Sequence, residues 1–136
     1  MTLTEKQDQW IDDWSIIPDS YERLSALMDE AAGEPEFDAA GRTDELLVPG
    51  CQARVWLRGA PDDAGLCRFE GDSDAPMVRA LTVFLCRLYS GHPPTEVATV
   101  EPVILERLGV HDHLTPTRRN GLAQIRARIR GLASSF

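Results

Sequence analysis

Hydrophobic residues recur with helical spacing toward both ends of this chain and alternate only in its middle. Trp10, Ile11, Trp14 and Ile17 follow helical intervals until Pro18 interrupts them, and Thr2 stands three residues before Glu5, the spacing at which each side chain caps the other's backbone amide. A first helix is predicted there. Asp19 opens a second periodic stretch with Tyr21, Leu24, Met28 and Ala31 on one face, closed by Gly33 and Pro35. Gln52–Arg58 and Leu66–Glu70 alternate in character around a turn-rich spacer, which predicts antiparallel strands. From Ala75 to Tyr89, residues such as Met77, Leu81, Phe84, Leu85 and Leu88 form a stripe too wide for a surface helix, so this is the predicted core helix. Pro102 divides one or two short helices between Thr95 and Leu108. Thr115–Pro116 supplies the N-cap and first position of a last helix, with Leu122, Ile125, Ile129 and Leu132 facing inward.

Together these elements predict an α+β fold: a small antiparallel sheet of about three strands packed with N-terminal, central and C-terminal helices. A length of 136 residues with 43% hydrophobic side chains suits a single domain spanning 1–136. No uncharged apolar run of about 18 residues occurs, and the acidic start lacks a basic-then-apolar leader, so a cytoplasmic location without membrane association is expected. Without a heptad pattern, a monomer or weak homodimer is expected.

The net charge of −8 is unevenly spread: residues 1–45 hold thirteen acids against three basic residues, whereas no acid follows Asp112 and five arginines do. Overall acidity and the lack of a binding motif argue against nucleic acid, so Arg126, Arg128 and Arg130 read as the solvated, dipole-favoured end of the last helix. The Gly33–Glu45 stretch, acidic and punctuated by Gly and Pro, reads as an exposed connection compatible with motion.

Three cysteines without close CxxC spacing fit neither a disulfide framework nor a four-cysteine zinc site. Cys67, in a strand, and Cys86, in the most apolar helix, read as core residues. Cys51 differs, because it follows Val48-Pro49-Gly50, where proline fixes the backbone and glycine lets a second protein approach the sulfur. Val48, Leu47 and Trp56 are candidates to line an apolar recess beside it, and backbone amides of the turn are candidate donors to a thiolate. His111 and His113 flank Asp112, but that spacing reads as a polar turn, and no metal site is expected. Asp72, Ser73 and Asp74 read first as cap and first-turn residues of the central helix. Trp10, Trp14 and Trp56 read as core.

Val48-Pro49-Gly50-Cys51-Gln52 with Val55-Trp56, then Gly71-Asp72-Ser73-Asp74-Ala75, then His113-Leu114-Thr115-Pro116-Thr117-Arg118-Arg119-Asn120-Gly121-Leu122 resemble, in order and spacing, the motifs of the SufE family of cysteine-desulfurase sulfur acceptors. The resemblance covers about residues 10–133 and implies a SufE/NifU-like fold. Ala53 stands where the family commonly has serine, and Arg119 where it commonly has a small polar residue. The resemblance implies that Cys51 takes persulfide sulfur from a cysteine desulfurase of SufS-like or CsdA-like type, stimulates that enzyme, and passes the sulfur to a SufBCD-like cluster scaffold. The pyridoxal phosphate then belongs to the desulfurase and this chain carries no cofactor. Asp74, Arg118, Arg119 and Asn120 become candidate thiolate or partner contacts. The resemblance further implies a Cys51 loop that moves between sheltered and extended positions. An iron-sulfur scaffold holding its own cluster needs about three or four ligands, which the three scattered cysteines do not group to provide, and a plain interaction module is the remaining alternative.

Overall fold

Side-chain caps decide where three of the six α-helices begin. In the computed structural model, which describes residues 1–136, α1 (Leu3–Trp14) opens on a reciprocal pair: Thr2 Oγ1 accepts from the Glu5 amide and Glu5 Oε1 from the Thr2 amide, both at 3.1 Å. Asp19 caps α2 (Ser20–Ala32) by accepting from the Glu22 amide at 3.0 Å. Two strands follow, β1 (Val55–Pro61) and β2 (Cys67–Ser73), and then α3 (Pro76–Tyr89), α4 (Pro94–Thr99) and α5 (Ile104–Arg107). The last helix, α6 (Pro116–Ser134), starts on Thr115, whose hydroxyl accepts from the Arg118 amide at 3.2 Å.

α3 departs from the expected capping. Its N-cap is Ala75 with no side-chain bond, while Asp72 and Ser73 end β2. Asp72 is drawn inward instead, wholly buried, where Arg79 Nε of α3 meets Oδ1 at 2.8 Å and Arg42 Nε and the Phe37 amide meet Oδ2 at 3.0 Å. A buried carboxylate needs such donors, and two guanidiniums outcompete a helix end for it. Arg79 also donates to the Ala31 and Glu34 carbonyls at 2.8 and 2.7 Å. The connection after α2 is therefore pinned to the end of the sheet at several points.

The sheet has two antiparallel strands rather than about three, with Val55 opposite Ser73 and Pro61 opposite Cys67. Further pairing stops at single bridges, Leu47 with Trp56 on one edge and Cys67 with His92 on the other. Pro49 and Gly50 turn the first of these segments away, and Gly91 and Pro93 the second, before a ladder can extend.

α3 packs on β2 and α2, and α6 lies along β1 and α4. Leu81, Leu85, Leu88 and Tyr89 of α3 are fully buried with Leu57, Ile125 and Ile129, as the wide apolar stripe of α3 requires. Trp10 and Trp14 pack on Phe84, with ring centroids 5.2 and 5.8 Å apart. Tyr21 leaves the expected apolar face of α2: Leu24, Leu27 and Ala31 are buried while Tyr21 is 63% exposed, its ring edge-on to His113. Arg126 is not solvated either; it is buried, its guanidinium 4.6 Å over the Tyr89 ring and donating to Val100 O at 3.0 Å. A long arginine can bury its stem and stack its head where a carbonyl and an aromatic face await it. No helix is long and apolar enough to cross a membrane.

Candidate functional site: the Cys51 turn against the last helix

Two fixed stems carry the cysteine turn. On the near side the Val48 amide donates to Val55 O at 2.8 Å, and on the far side Arg54 is held by Asp74, whose Oδ1 accepts from the Arg54 amide at 3.1 Å, and by Ser73, whose hydroxyl donates to Arg54 O at 2.7 Å. Between them Pro49 and Gly50 form an exposed turn, and Gly50 adopts φ +83°, a backbone state that favours glycine. A Cβ there would also meet Gln124 Cγ of α6 at 3.1 Å, so the turn rests closely on the helix.

This contact aims Cys51 at α6. Its thiol, half-buried, donates to the Gly121 carbonyl at 3.5 Å. Beside it opens a cavity of about 440 Å³. Ala75, Val78 and Leu81 from the α3 side and Leu122 and Ile125 from α6 give it apolar walls; Gln52, Thr115, Thr117 and Arg118 add polar groups. Burial pushes the Cys51 thiol up from its ordinary pKa, and the only hydrogen bond the sulfur makes is one it donates. At rest the site holds a neutral thiol; the amide donors expected from the turn do not reach the sulfur.

The structure brings some sequence candidates together and separates others. Cys51, Gln52 and Arg118 share the cavity, and Arg118 Nη1 donates to Met77 Sδ at 3.1 Å, a weak neutral acceptor. Val48 and Trp56 are buried and, with Leu47, do not line the cavity: Val48 packs into the main hydrophobic core, and Trp56 lies under Arg42, which stacks over its ring at 4.8 Å. Asp74 is exposed and holds the loop stem rather than the sulfur. Arg119 points to another side of α6, where its Nε donates to His111 O at 2.9 Å, and Asn120 is exposed on the same turn. His113 Nε2 lies 2.8 Å from Ser20 Oγ, and no cluster of three or more His, Cys, Asp or Glu forms. Cys67 and Cys86 are buried, and burial pushes the thiols of both up.

Sequence reading missed the parts of the site that come from facing helices. Val78, Leu81, Leu122 and Ile125 read only as core stripes, and Gln124 carried no signal. The His113–Leu122 motif block is the one sequence clue that the start of α6 matters.

The family model described as the SufE, Fe-S metabolism associated domain matches residues 8–133. The chain belongs to the SufE family. It is 36% identical over 128 residues to a SufE-like protein of Rhizobium etli, covering 90% of this chain and 86% of that one. A SufE-like protein of Rhizobium meliloti is 33% identical over 131 residues and covers 93% of each chain. A solution structure of a protein from Thermus thermophilus superposes with a TM-score of 0.74 over 96% of this chain and 94% of that one; at 23% identity it speaks for the α+β fold alone. Family membership places the chain among domains associated with Fe-S metabolism.

Proposed function

We propose that this protein accepts persulfide sulfur on Cys51 from a cysteine desulfurase, stimulates that enzyme, and hands the sulfur on for iron-sulfur cluster assembly. The observation that carries the reading is the placement of one accessible thiol on a glycine turn with anchored stems, directly beside an apolar cavity, in a member of the SufE family. Members of this family work with cysteine desulfurases. The Cys51 thiolate attacks the terminal sulfur of the partner's persulfide; the partner's sulfur–sulfur bond breaks, its cysteine leaves as a thiolate, and Cys51 becomes a persulfide. No external oxidant is required. The pyridoxal phosphate resides on the desulfurase.

The parked thiol is neutral and half-buried, so acceptance calls for the turn to lift off α6 and for the thiol to ionise in the docked complex, where Arg118 is the nearest unpaired cation lining the cavity. After transfer, the cavity shelters the persulfide from water and stray thiols on the way to a scaffold. The site acts in the cytoplasm, as a monomer or weak homodimer.

Mass spectrometry after incubation with desulfurase and free cysteine tests the reading: Cys51 gains one sulfur, and Cys51→Ser abolishes both the gain and the stimulation while still forming the complex. Stimulation that survives Cys51→Ser overturns it.

A further inference from the structure

A second face of α6 carries a basic cleft. Arg119, Arg126 and Arg130 are seven and four residues apart and therefore share one side of the helix, with Ala123 and Ala127 leaving open floor between them. The opposite wall is the chain from Glu101 to Glu106 together with His111, and the space enclosed is about 510 Å³. This cleft lies apart from Cys51, Gly121 and Arg118, which line the cavity on the neighbouring face.

Arg126 is the unusual member. It is 6% exposed, its Nη2 donates to Val100 O, and its Nε and Nη1 are buried without a hydrogen-bond acceptor. Glu101 Oε2 stands 3.7 Å from Arg126 Nε, an ion pair too long for a hydrogen bond, while the other oxygen of the same carboxylate pairs with Arg130. Arg119 uses only its Nε, on the His111 carbonyl, and its side chain is exposed. Three guanidiniums thus face two carboxylates, Glu101 and Glu106, in a chain of net charge −8. One half-exposed glutamate incompletely satisfies a set of donors built for more oxygen atoms than it has.

We propose that this cleft binds a small multivalent oxyanion, whose phosphate or carboxylate oxygens displace Glu101 from Arg126 and Arg130 and engage Arg119 as well. Two sources share that chemistry, a phosphate-bearing and a polycarboxylate metabolite. The ammonium-free, planar donors suit both.

Nuclear magnetic resonance of the full chain, titrated with inorganic phosphate or with citrate against sodium chloride at equal ionic strength, decides it. The expected result is a saturable shift of the Arg126 Nε–H signal and of the 101–106 amides with at least one probe. Phosphate alone identifies a phosphate-bearing ligand, and citrate alone a polycarboxylate. Ala127→Glu, an exposed helix position that keeps the fold, weakens binding about tenfold by placing a like charge in the cleft. Arg119→Gln weakens it about two- to fivefold, and Glu101→Gln strengthens it by about as much, because the resident competitor is gone. Shifts that match those of chloride, or saturable binding untouched by Ala127→Glu, overturn the proposal.

Discussion

The Asp72 cluster and the Cys51 turn hang from the same end of the hairpin, where Val55 faces Ser73 and Trp56 faces Asp72, yet they are held by opposite means. Asp72 is enclosed by two arginines and a backbone amide at 2.8 to 3.0 Å. Burial on its own would raise the Asp72 carboxyl, but these donors outweigh it and hold the group below the usual carboxylate range. Cys51 has one long thiol bond to Gly121 and apolar packing. Charge-assisted bonds at Asp72 and Asp74, with a neutral bond from the Ser73 hydroxyl to Arg54 O, fix the frame, while the span from Pro49 to Ala53 is left with weak attachments. The stems of the turn are held firmly and its tip weakly.

Breaking the strong side gives the largest effect. Asp72→Ala strands Arg79 inside the domain and is expected to cost about 3–5 kcal/mol, read from urea unfolding followed by tryptophan fluorescence. Because the folded Asp72 pKa is depressed, its contribution is present above the unfolded value of about 3.9 and is lost as pH falls through the folded pKa. Wild type and Asp72→Asn should therefore converge in stability as acid is added, and a gap that stays constant below pH 4 would count against the buried ion cluster.

A paired glycine experiment sharpens the weak side. Gly50 and Gly65 have φ +83° and +78°, but a Cβ meets Gln124 only at Gly50, with nothing within 4 Å at Gly65. Both Gly→Ala changes should cost about 1–2 kcal/mol of backbone strain. Only Gly50→Ala should also lift the turn from α6, seen as several-fold faster alkylation of Cys51 by iodoacetamide; equal rates in the two variants would show that the contact with α6 does not govern access.

A smaller effect concerns ionisation. The pH profile for Cys51 alkylation should have its midpoint above the ordinary value of about 8.5, with Cys67 and Cys86 unreactive until denaturant is added. The neutral thiol is the favoured folded form, so its contribution to stability is present below the unfolded pKa and is lost as pH rises through the folded one. A midpoint below that of the unfolded chain would mean that the parked sulfur is an anion. Smallest of all, Arg118→Gln should change stability by no more than about 0.5 kcal/mol, since Arg118 is exposed and bonds only Met77 Sδ, while slowing sulfur transfer from the desulfurase. Unaltered transfer would remove Arg118 from the site.

Local chemistry made much of this molecule legible. Thr2, Asp19 and Thr115 cap the helices as their spacing implies, the stripe from Met77 to Leu88 becomes the central helix, and Cys51 stands apart from two buried cysteines. What escaped were residues whose roles depend on a distant neighbour. Asp72 has the look of a helix cap until Arg42 and Arg79 arrive from thirty residues before it and seven after. Arg126 has the look of a solvated end until Tyr89 and Val100 close over it. Val48, close in sequence to the cysteine and a candidate for its recess, is buried in the core instead, while Trp56 is buried as its aromatic character implies.

Periodicity, caps and the Pro-Gly-Cys turn act over a few residues, and for that reason the sequence alone determined the helices and the hairpin and singled out Cys51 as the candidate thiol. The cavity walls, the upward shift of the Cys51 thiol and the buried charges were decided by tertiary structure. Desolvation and ion pairing depend on which groups meet in space, and α3, α6 and the Cys51 turn meet only once the chain has folded.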